Sequence, residues 1–439
     1  MTVDQILERF QRFGVHLGLE RIENLLACLG NPHHQVPIIH VAGTNGKGSV
    51  CAYLSSILTQ AGYRVGRYIS PHLVDWTERI CINEQPISRT DLERVLLEVE
   101  AAIDPNQPSP TQFEVITAAA WLYFAQQQVD IAVIEVGLGG RLDATNVCDR
   151  PLVSAIVSIS REHWQRLGPT VAHIAREKAG VLKAGCPAVI GKLPPDAQAV
   201  VEQRINELDC PAVWVEAATA THKKTSQGLT IAIYQDIEYP LPLLGQVQLI
   251  NSAIAIAAIK LLQQQRWQIS SEAIWQGMTK TRWLGRLQWT NWRDRRLLVD
   301  GAHNPAAAQV LRQYIDSINP QSVEDAGVNH SPSTSNQQPI TWVMGMLSTK
   351  DHADIFEALL RPGDQLYLVP VPDHSSAEPE QLAALSRQIC PSLARSQAYP
   401  DLIAGLEAAV SSASSNLVVL CGSLYLVGYF LSLQNSTVS

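Results

Sequence analysis

The chain has 439 residues, 46% of them hydrophobic and 17% charged, with a formal net charge of −8. That length is more than one ordinary core fills, so two domains are expected, and the composition is that of a globular chain, not a disordered one. The acidic balance argues against a nucleic-acid partner or an anionic membrane surface, which call for a basic face, and leaves small anionic substrates open through local basic residues.

Eight cysteines, at 28, 51, 81, 148, 186, 210, 390 and 421, are scattered without a C-x-x-C spacing. This predicts reduced thiols in a cytoplasmic protein, mostly buried as small apolar residues. The segment Met1 to Phe10 carries Asp4 and Glu8 and no apolar run, so no signal peptide is expected. The most apolar stretches, such as Asn251 to Leu262, read as amphipathic and too short to span a membrane.

In chain order, β-rich apolar runs at 36–42, 63–69, 131–136, 152–159 and 187–191 alternate with helical patterns such as 112–128 and 170–183. Such alternation predicts a mostly parallel sheet with helices on both faces. From Ala212 to Pro242 short strands punctuated by Gly228 and Pro240 suggest an antiparallel hairpin. A second α/β series starts near Leu287, with strands at 296–300, 340–345, 365–370 and 416–420 and helices near 305–317, 351–360, 378–389 and 400–412. The domains are therefore expected at 1–288 and 289–439, with the junction at 285–295. Residues 321–338, rich in Ser, Asn, Gln and Pro, read as a flexible surface loop of the second domain. No internal repeat is visible.

The most informative segment is Gly43-Thr44-Asn45-Gly46-Lys47-Gly48-Ser49, between an apolar run (36–42) and a helical one (Val50 to Gln60). Strand, glycine-rich turn with one lysine, then helix is the layout of a phosphate cradle. Glycines let backbone N–H groups approach the anion, the helix N-terminus adds partial positive charge, and the lysine neutralises the outer phosphates. The Ser49 hydroxyl can bind Mg²⁺. The spacing differs from G-x-x-x-x-G-K-[ST], because Gly48 separates Lys47 from Ser49.

Other polar groups end predicted strands, where open α/β sheets bind ligands. Glu135, followed by Val136-Gly137-Leu138-Gly139-Gly140-Arg141, can hold Mg²⁺ or be a solvated strand end. His163, after Ser160-Arg161-Glu162, is a metal ligand or a hydrogen-bonded structural histidine. Lys178 in Glu177-Lys178-Ala179-Gly180 is by composition an ordinary helix lysine. Asp300 and His303 in Val299-Asp300-Gly301-Ala302-His303-Asn304-Pro305 sit where a strand meets a helix, with Pro305 suited to the first turn. Arg286, near the junction, either reaches a nucleotide phosphate or caps a linker.

Taken in order, these motifs resemble the folylpolyglutamate synthase/dihydrofolate synthase family of Mur-type ATP-dependent amide ligases. The resemblance runs through almost the whole chain: Leu17 to Ile22 and Leu29 to Pro32, HVAGTNGKGS (His40 to Ser49), Ser70-Pro71-His72-Leu73 with Glu78-Arg79-Ile80, EVGLGGRLDATN (Glu135 to Asn146), REKAG (Arg176 to Gly180), DGAHNP (Asp300 to Pro305) and CGSLYLVG (Cys421 to Gly428). The EVGLGGRLDATN motif sets the folate branch apart from cell-wall Mur ligases. The resemblance implies a P-loop-containing, mostly parallel sheet domain followed by a smaller Rossmann-like α/β domain.

It also implies roles. Lys47 and the loop amides of 43–49 take the β- and γ-phosphates of ATP. Ser49 and Glu135 hold one Mg²⁺, and Ser70, Glu135 and His163 a second. Lys178 is carbamylated. Asn251 and Arg286 contact adenine and phosphate, and Asp300 the ribose. Arg79, His303 and Ser423 orient glutamate or the acyl phosphate, and Phe113 with the 71–79 loop borders the pterin. Three positions depart from the family: Glu162 stands for an aspartate, Val247 for a histidine and Leu284 for a proline.

The implied reaction activates a carboxylate of dihydropteroate or of a reduced folate with ATP and joins it to L-glutamate, under closure of the second domain. The implied protein is a cytoplasmic monomer. Rival readings are a dedicated folylpolyglutamate synthase, a cell-wall ligase, a P-loop motor or small-molecule kinase, and a catalytically silent nucleotide binder. A cell-wall ligase carries a further N-terminal domain, whereas only 35 residues precede the first predicted strand here.

Overall fold

Short, fully buried, β-branched runs build the first sheet of the computed structural model, which describes residues 2–11, 16–318, 338–412 and 417–436. Its strands are β1 (Ile38–Ala42), β2 (Val65–Tyr68), β3 (Ile80–Ile82), β4 (Gln85–Pro86), β5 (Ile131–Glu135), β6 (Val153–Ile156), β7 (Ala188–Ile190) and β8 (Ala212–Trp214), in the order β4-β3-β2-β5-β1-β6-β7-β8. All pairings from β2 to β8 are parallel, and β3 and β4 add an antiparallel edge. Ile38, Ala132 and Ile134 pack in one cluster with the helices Val3–Gln11, Glu20–Cys28, Arg89–Ala101 and Gln112–Gln126. Ala42, Ile156, Ala188 and Ile190 pack in another with the helices Val171–Ala179 and Pro195–Glu207. The alternate residues Ile39, Val41, Val133 and Ala155 are buried as well, as a parallel sheet covered on both faces requires.

The chain runs from β1 outward to β2, returns to insert β5 beside β1, and then places β6 on the other flank of β1. This reversal puts the carboxyl ends of β5, β1 and β6 next to one another, the position where doubly wound sheets open a ligand crevice. The chain divides into two units, Met1–Pro242 with Val247–Trp283, and Leu243–Gln246 with Leu284–Ser439.

Two expectations are corrected. Residues 212–242 are not a single hairpin: Ala212–Trp214 joins the main sheet, and β9 (Thr219–Lys224), β10 (Thr230–Tyr234) and β11 (Ile237–Leu241) form a separate three-stranded antiparallel sheet. The apolar stretch at 251–262 is part of an 18-residue helix, Val247–Gln264, long and apolar enough by length and composition to cross a membrane. It is not amphipathic either, because residues around most of its circumference are buried: Asn251 to Ile259 are all inside, and it packs on the helix Lys47–Gln60. A core helix enclosed in this way has no polar face to show in the sequence.

In the second unit, β12 (Gln288–Trp292), β13 (Arg295–Val299), β14 (Thr341–Met344), β15 (Gln365–Leu368), β16 (Arg395–Ala398) and β17 (Val418–Cys421) form a sheet ordered β12-β13-β17-β14-β15-β16. It is parallel apart from β12. The edge strand β16 reads Arg-Ser-Gln-Ala, too polar to be recognised from hydrophobic patterning. Arg312, on the helix Pro305–Ile318, is buried against Asp364 at 3.3 Å, and Asp364 also accepts from the Ile340 amide and the Trp342 indole. Breaking such an enclosed pair from one side strands a charge. The expected loop at 321–338 lies, except for Gln338, outside the described residues.

Candidate active site

The phosphate loop leaves β1 at Ala42 and enters the helix Lys47–Gln60. It is pinned to the segment after β6. The Thr44 amide donates to the Ser158 carbonyl (2.7 Å), the Asn45 amide to the Ser158 hydroxyl (3.0 Å), and the Ser160 amide to the Thr44 hydroxyl (3.0 Å). Gly46 has φ +85°, and a Cβ there would stand 2.6 Å from Asn251 Oδ1, so both conformation and space demand glycine. At Gly48 the Trp283 ring takes the place of a side chain, since a Cβ would come within 2.3 Å of it. Ser49 is buried at the first turn and accepts from Gln248 Nε2 at 3.4 Å, while Gln248 Oε1 accepts from Asn251 Nδ2 (3.2 Å) and the Tyr53 hydroxyl (3.3 Å).

Lys47 Nζ lies 3.8 Å from Glu135 Oε1, joining the loop after β1 to the end of β5. Its other contact, the Thr44 carbonyl, is long at 3.3 Å. Lys178, buried on the helix Val171–Ala179, donates from Nζ to the Gly43 carbonyl at 2.8 Å. Burial, then the neighbouring Lys47 charge, lowers its pKa to about 7, so near neutral pH much of this amine is uncharged.

The segment after Glu135 holds the Lys178 helix. The Arg141 amide donates to the Glu177 carbonyl (2.7 Å), its guanidinium pairs with the Glu177 carboxylate (2.9 Å), and Asn146 Nδ2 donates to the Arg141 and Gly180 carbonyls (3.0 and 3.1 Å). Asp143 accepts from the Leu138 amide (2.7 Å) and the Thr145 hydroxyl (2.6 Å), and Thr145 in turn bonds His40 Nε2 (2.9 Å). Burial pushes Asp143 up and His40 down to about 3, which keeps the imidazole neutral.

Ser70 follows β2, whose neighbour in the sheet is β5, so it stands at the same edge as Glu135. The Phe113 ring lies against Gly137, where a Cβ would come within 2.4 Å of it. Arg79 is buried, donates from Nε to His72 Nδ1 (2.9 Å) and stacks over Trp76 at 4.3 Å. Asp75 and Glu78 cap the turn Trp76–Arg79 reciprocally, which fixes the Arg79 backbone. Glu114 has a comparable structural task in a capping box with Thr111. His163 follows β6 with φ +51°, its side chain 47% exposed and 3.9 Å from the Glu162 carboxylate.

In the second unit, Asp300 is buried just beyond β13 and accepts from the Leu287 and Ala302 amides, both at 2.8 Å. Burial raises its pKa against the opposing effect of Arg286. His303 Nδ1 is 2.8 Å from the Gly301 carbonyl oxygen. Ser423 caps the helix Leu424–Ser436, its hydroxyl accepting from the Tyr425 amide at 3.2 Å. Asp300, His303 and Ser423 thus follow β13 and β17, which are neighbours in the sheet.

Sequence reading missed Gln248 and Trp283. Gln248 was findable, because it lies three residues before Asn251 on one helix face. Among the described residues no three His, Cys, Asp or Glu side chains converge as a metal site. An ion at the first edge would draw on hard oxygens, the Glu135 carboxylate with the Ser49 and Ser70 hydroxyls. That sparse set fits Mg²⁺, which usually keeps several waters and takes one or two carboxylates plus substrate phosphates.

The Mur ligase middle domain family matches residues 41–259, and the dihydrofolate synthetase C-terminal domain family matches 286–433. The chain is 33% identical to the dihydrofolate synthetase of Saccharomyces cerevisiae, over 96% of this chain and 99% of that one. It is 37% identical to the folylpolyglutamate synthase of Lacticaseibacillus casei, over 85% of each. A solved structure of Mycobacterium tuberculosis folylpolyglutamate synthase complexed with ADP and AMPPCP superposes with a TM-score of 0.84 at 28% identity, covering 98% of this chain and 97% of that one.

Proposed function

The chain belongs to the folylpolyglutamate synthase/dihydrofolate synthase family of Mur ligases, and on that premise we propose that it is bifunctional, adding L-glutamate both to dihydropteroate and to the γ-carboxylate of reduced folates. It is an ATP-dependent ligase that joins glutamate to folates; the proposal concerns which carboxylates it takes and which residues act. The observation that carries the residue assignment is the meeting of Lys47, Glu135 and the Lys178 amine on one phosphate loop.

A carboxylate is a poor electrophile, so the γ-phosphoryl of ATP is transferred to it first, giving an acyl phosphate. The loop amides of 43–49 and Lys47 bind and neutralise the β- and γ-phosphates. Asn251, Arg286 and Asp300 are assigned to the nucleotide. When bound, Mg²⁺ held by Ser49 and Glu135, with a second ion at Ser70, Glu135 and His163, supplies charge neutralisation on the phosphates. Lys178 offers a neutral amine that can take up CO₂ as a carbamate, releasing a proton and placing an anion beside Lys47. The α-amine of glutamate then attacks the acyl carbon, and the tetrahedral intermediate expels phosphate. Arg79, His303 and Ser423 are assigned to orienting glutamate or the acyl phosphate, and Phe113 to the pterin wall. The protein is proposed to act as a cytoplasmic monomer.

The test is glutamate addition by the purified protein with ATP and Mg²⁺, comparing dihydropteroate with tetrahydrofolate and reading products by mass. Addition to both is expected. Addition to tetrahydrofolate alone would make it a dedicated polyglutamylase, and addition to neither would refute the reading.

A further inference from the structure

Two of the eight cysteines lie in the turns that lead into neighbouring strands of the first sheet, Cys186 ahead of β7 and Cys210 ahead of β8. β7 and β8 pair in parallel with Ala188 opposite Ala212 and Ile190 opposite Trp214, and the Gly185 amide donates to the Leu208 carbonyl (2.9 Å), which ties the two turns together. Cys186 and Cys210 are near enough to act on one another electrostatically. Both residues also gather on one carbonyl: the Cys210 thiol donates to Lys183 O at 3.2 Å and the Cys186 amide to the same oxygen at 3.0 Å. Both thiols are free, and the two cysteines that lie within strands face non-cysteines, Cys81 opposite Arg67 and Pro86 and Cys421 opposite Met344.

We propose that Cys186 and Cys210 are a redox-modification site, closed into a reversible intramolecular disulfide by a peroxide. Cys186 is the more exposed of the two and has Arg150 and Lys183 beside it, which favour its thiolate. Its thiolate attacks a peroxide oxygen, the O–O bond breaks, and the departing hydroxide is protonated to water, leaving a sulfenic acid. The Cys210 thiolate attacks that sulfur, forms the S–S bond and expels the second oxygen as water. The two thiols lose two electrons and two hydrogens, and hydrogen peroxide gains them as two waters. A dithiol reverses the step. Burial holds both above the usual range, so they are protonated thiols at neutral pH and closure accelerates as pH rises. The bond lies at the amino ends of the strands, away from the loops after β1 and β5, so it bears on stability and leaves turnover unchanged.

The experiment treats the full-length protein with hydrogen peroxide, blocks remaining thiols with N-ethylmaleimide and maps peptides without reduction. The expected result is a peptide pair joining Cys186 to Cys210, two hydrogens lighter than the free peptides, lost with dithiothreitol and in Cys186→Ser, and retained in Cys148→Ser. A melting temperature raised by a few degrees and restored by dithiothreitol should accompany it. The inference is overturned if the two thiols of the wild type are found singly alkylated or over-oxidised with no joined pair, or if Cys186 bridges indiscriminately to other cysteines.

Discussion

Both units end a buried strand in a turn that feeds a helix, at Ala42–Lys47 in the first and Val299–Pro305 in the second, but the polar groups of the two turns are engaged differently. In the second, Asp300 holds two backbone amides, Ser423 caps its own helix and His303 rests on a carbonyl two residues back. In the first, the backbone is fixed by Thr44, Ser158 and Ser160, which leaves the Lys47 ammonium on long contacts of 3.3 and 3.8 Å. Where the scaffold satisfies itself through hydroxyls and amides, the Lys47 ammonium is no part of it. Where a carboxylate is itself the scaffold, its loss is felt first as lost stability.

Substitutions at the two turns can break this contrast. Lys47→Ala and Glu135→Ala should each lower turnover by at least about 10²-fold while leaving the melting temperature nearly unchanged; near-normal activity would remove both from the phosphate and metal assignments. Lys178→Ala should lose comparable activity and regain part of it with added short carboxylates, whereas full activity without rescue would refute carbamylation. Gly46→Ala should weaken ATP binding by calorimetry about 10-fold or more and cost roughly 1–3 kcal/mol, because it adds both a strained φ and a clash with Asn251. In the second unit, Asp300→Asn should cost about 1–3 kcal/mol by leaving an enclosed amide without its acceptor. Ser423→Ala should cost about 1 kcal/mol as a lost cap. Thermal unfolding of each variant beside its KM for glutamate separates the structural from the substrate role.

Lys178 adds a pH signature. Its folded value near 7 lies below its ordinary 10.5, so between these values the native state binds fewer protons than the unfolded one. Stability should therefore rise with pH across that window, with the burial penalty fully present below pH 7. Melting temperatures from pH 7 to 10 in carbonate-free buffer, for wild type and Lys178→Met, check the sign, and the slope should flatten in the variant.

Much of the fold was legible in the sequence because the strands β1, β5, β14 and β17 are apolar runs ending in marked turns, and the glycine-rich turn with one lysine stands, as expected, between a strand and a helix. The failures have physical causes. Helix Val247–Gln264 is enclosed, so hydropathy lacked the polar face that marks an amphipathic helix. β16 is polar because it is an edge strand. In EVGLGGRLDATN the letters do not separate chemistry from scaffolding: Glu135 faces Lys47, while Arg141, Asp143 and Asn146 hold the helix that carries Lys178. Composition alone gave Lys178 no distinction, since its character comes from burial against Gly43.

The first unit is not continuous in sequence. The strands of its eight-stranded sheet are finished by Trp214, yet the helices Val247–Gln264 and Ser271–Lys280, which pack on the helix Lys47–Gln60, belong to the stretch that closes only at Trp283. On a ribosome adding roughly 5–20 residues per second, the nascent sheet must wait some seconds with one apolar flank uncovered, and a chaperone or a pause in translation near residue 242 would find its substrate there.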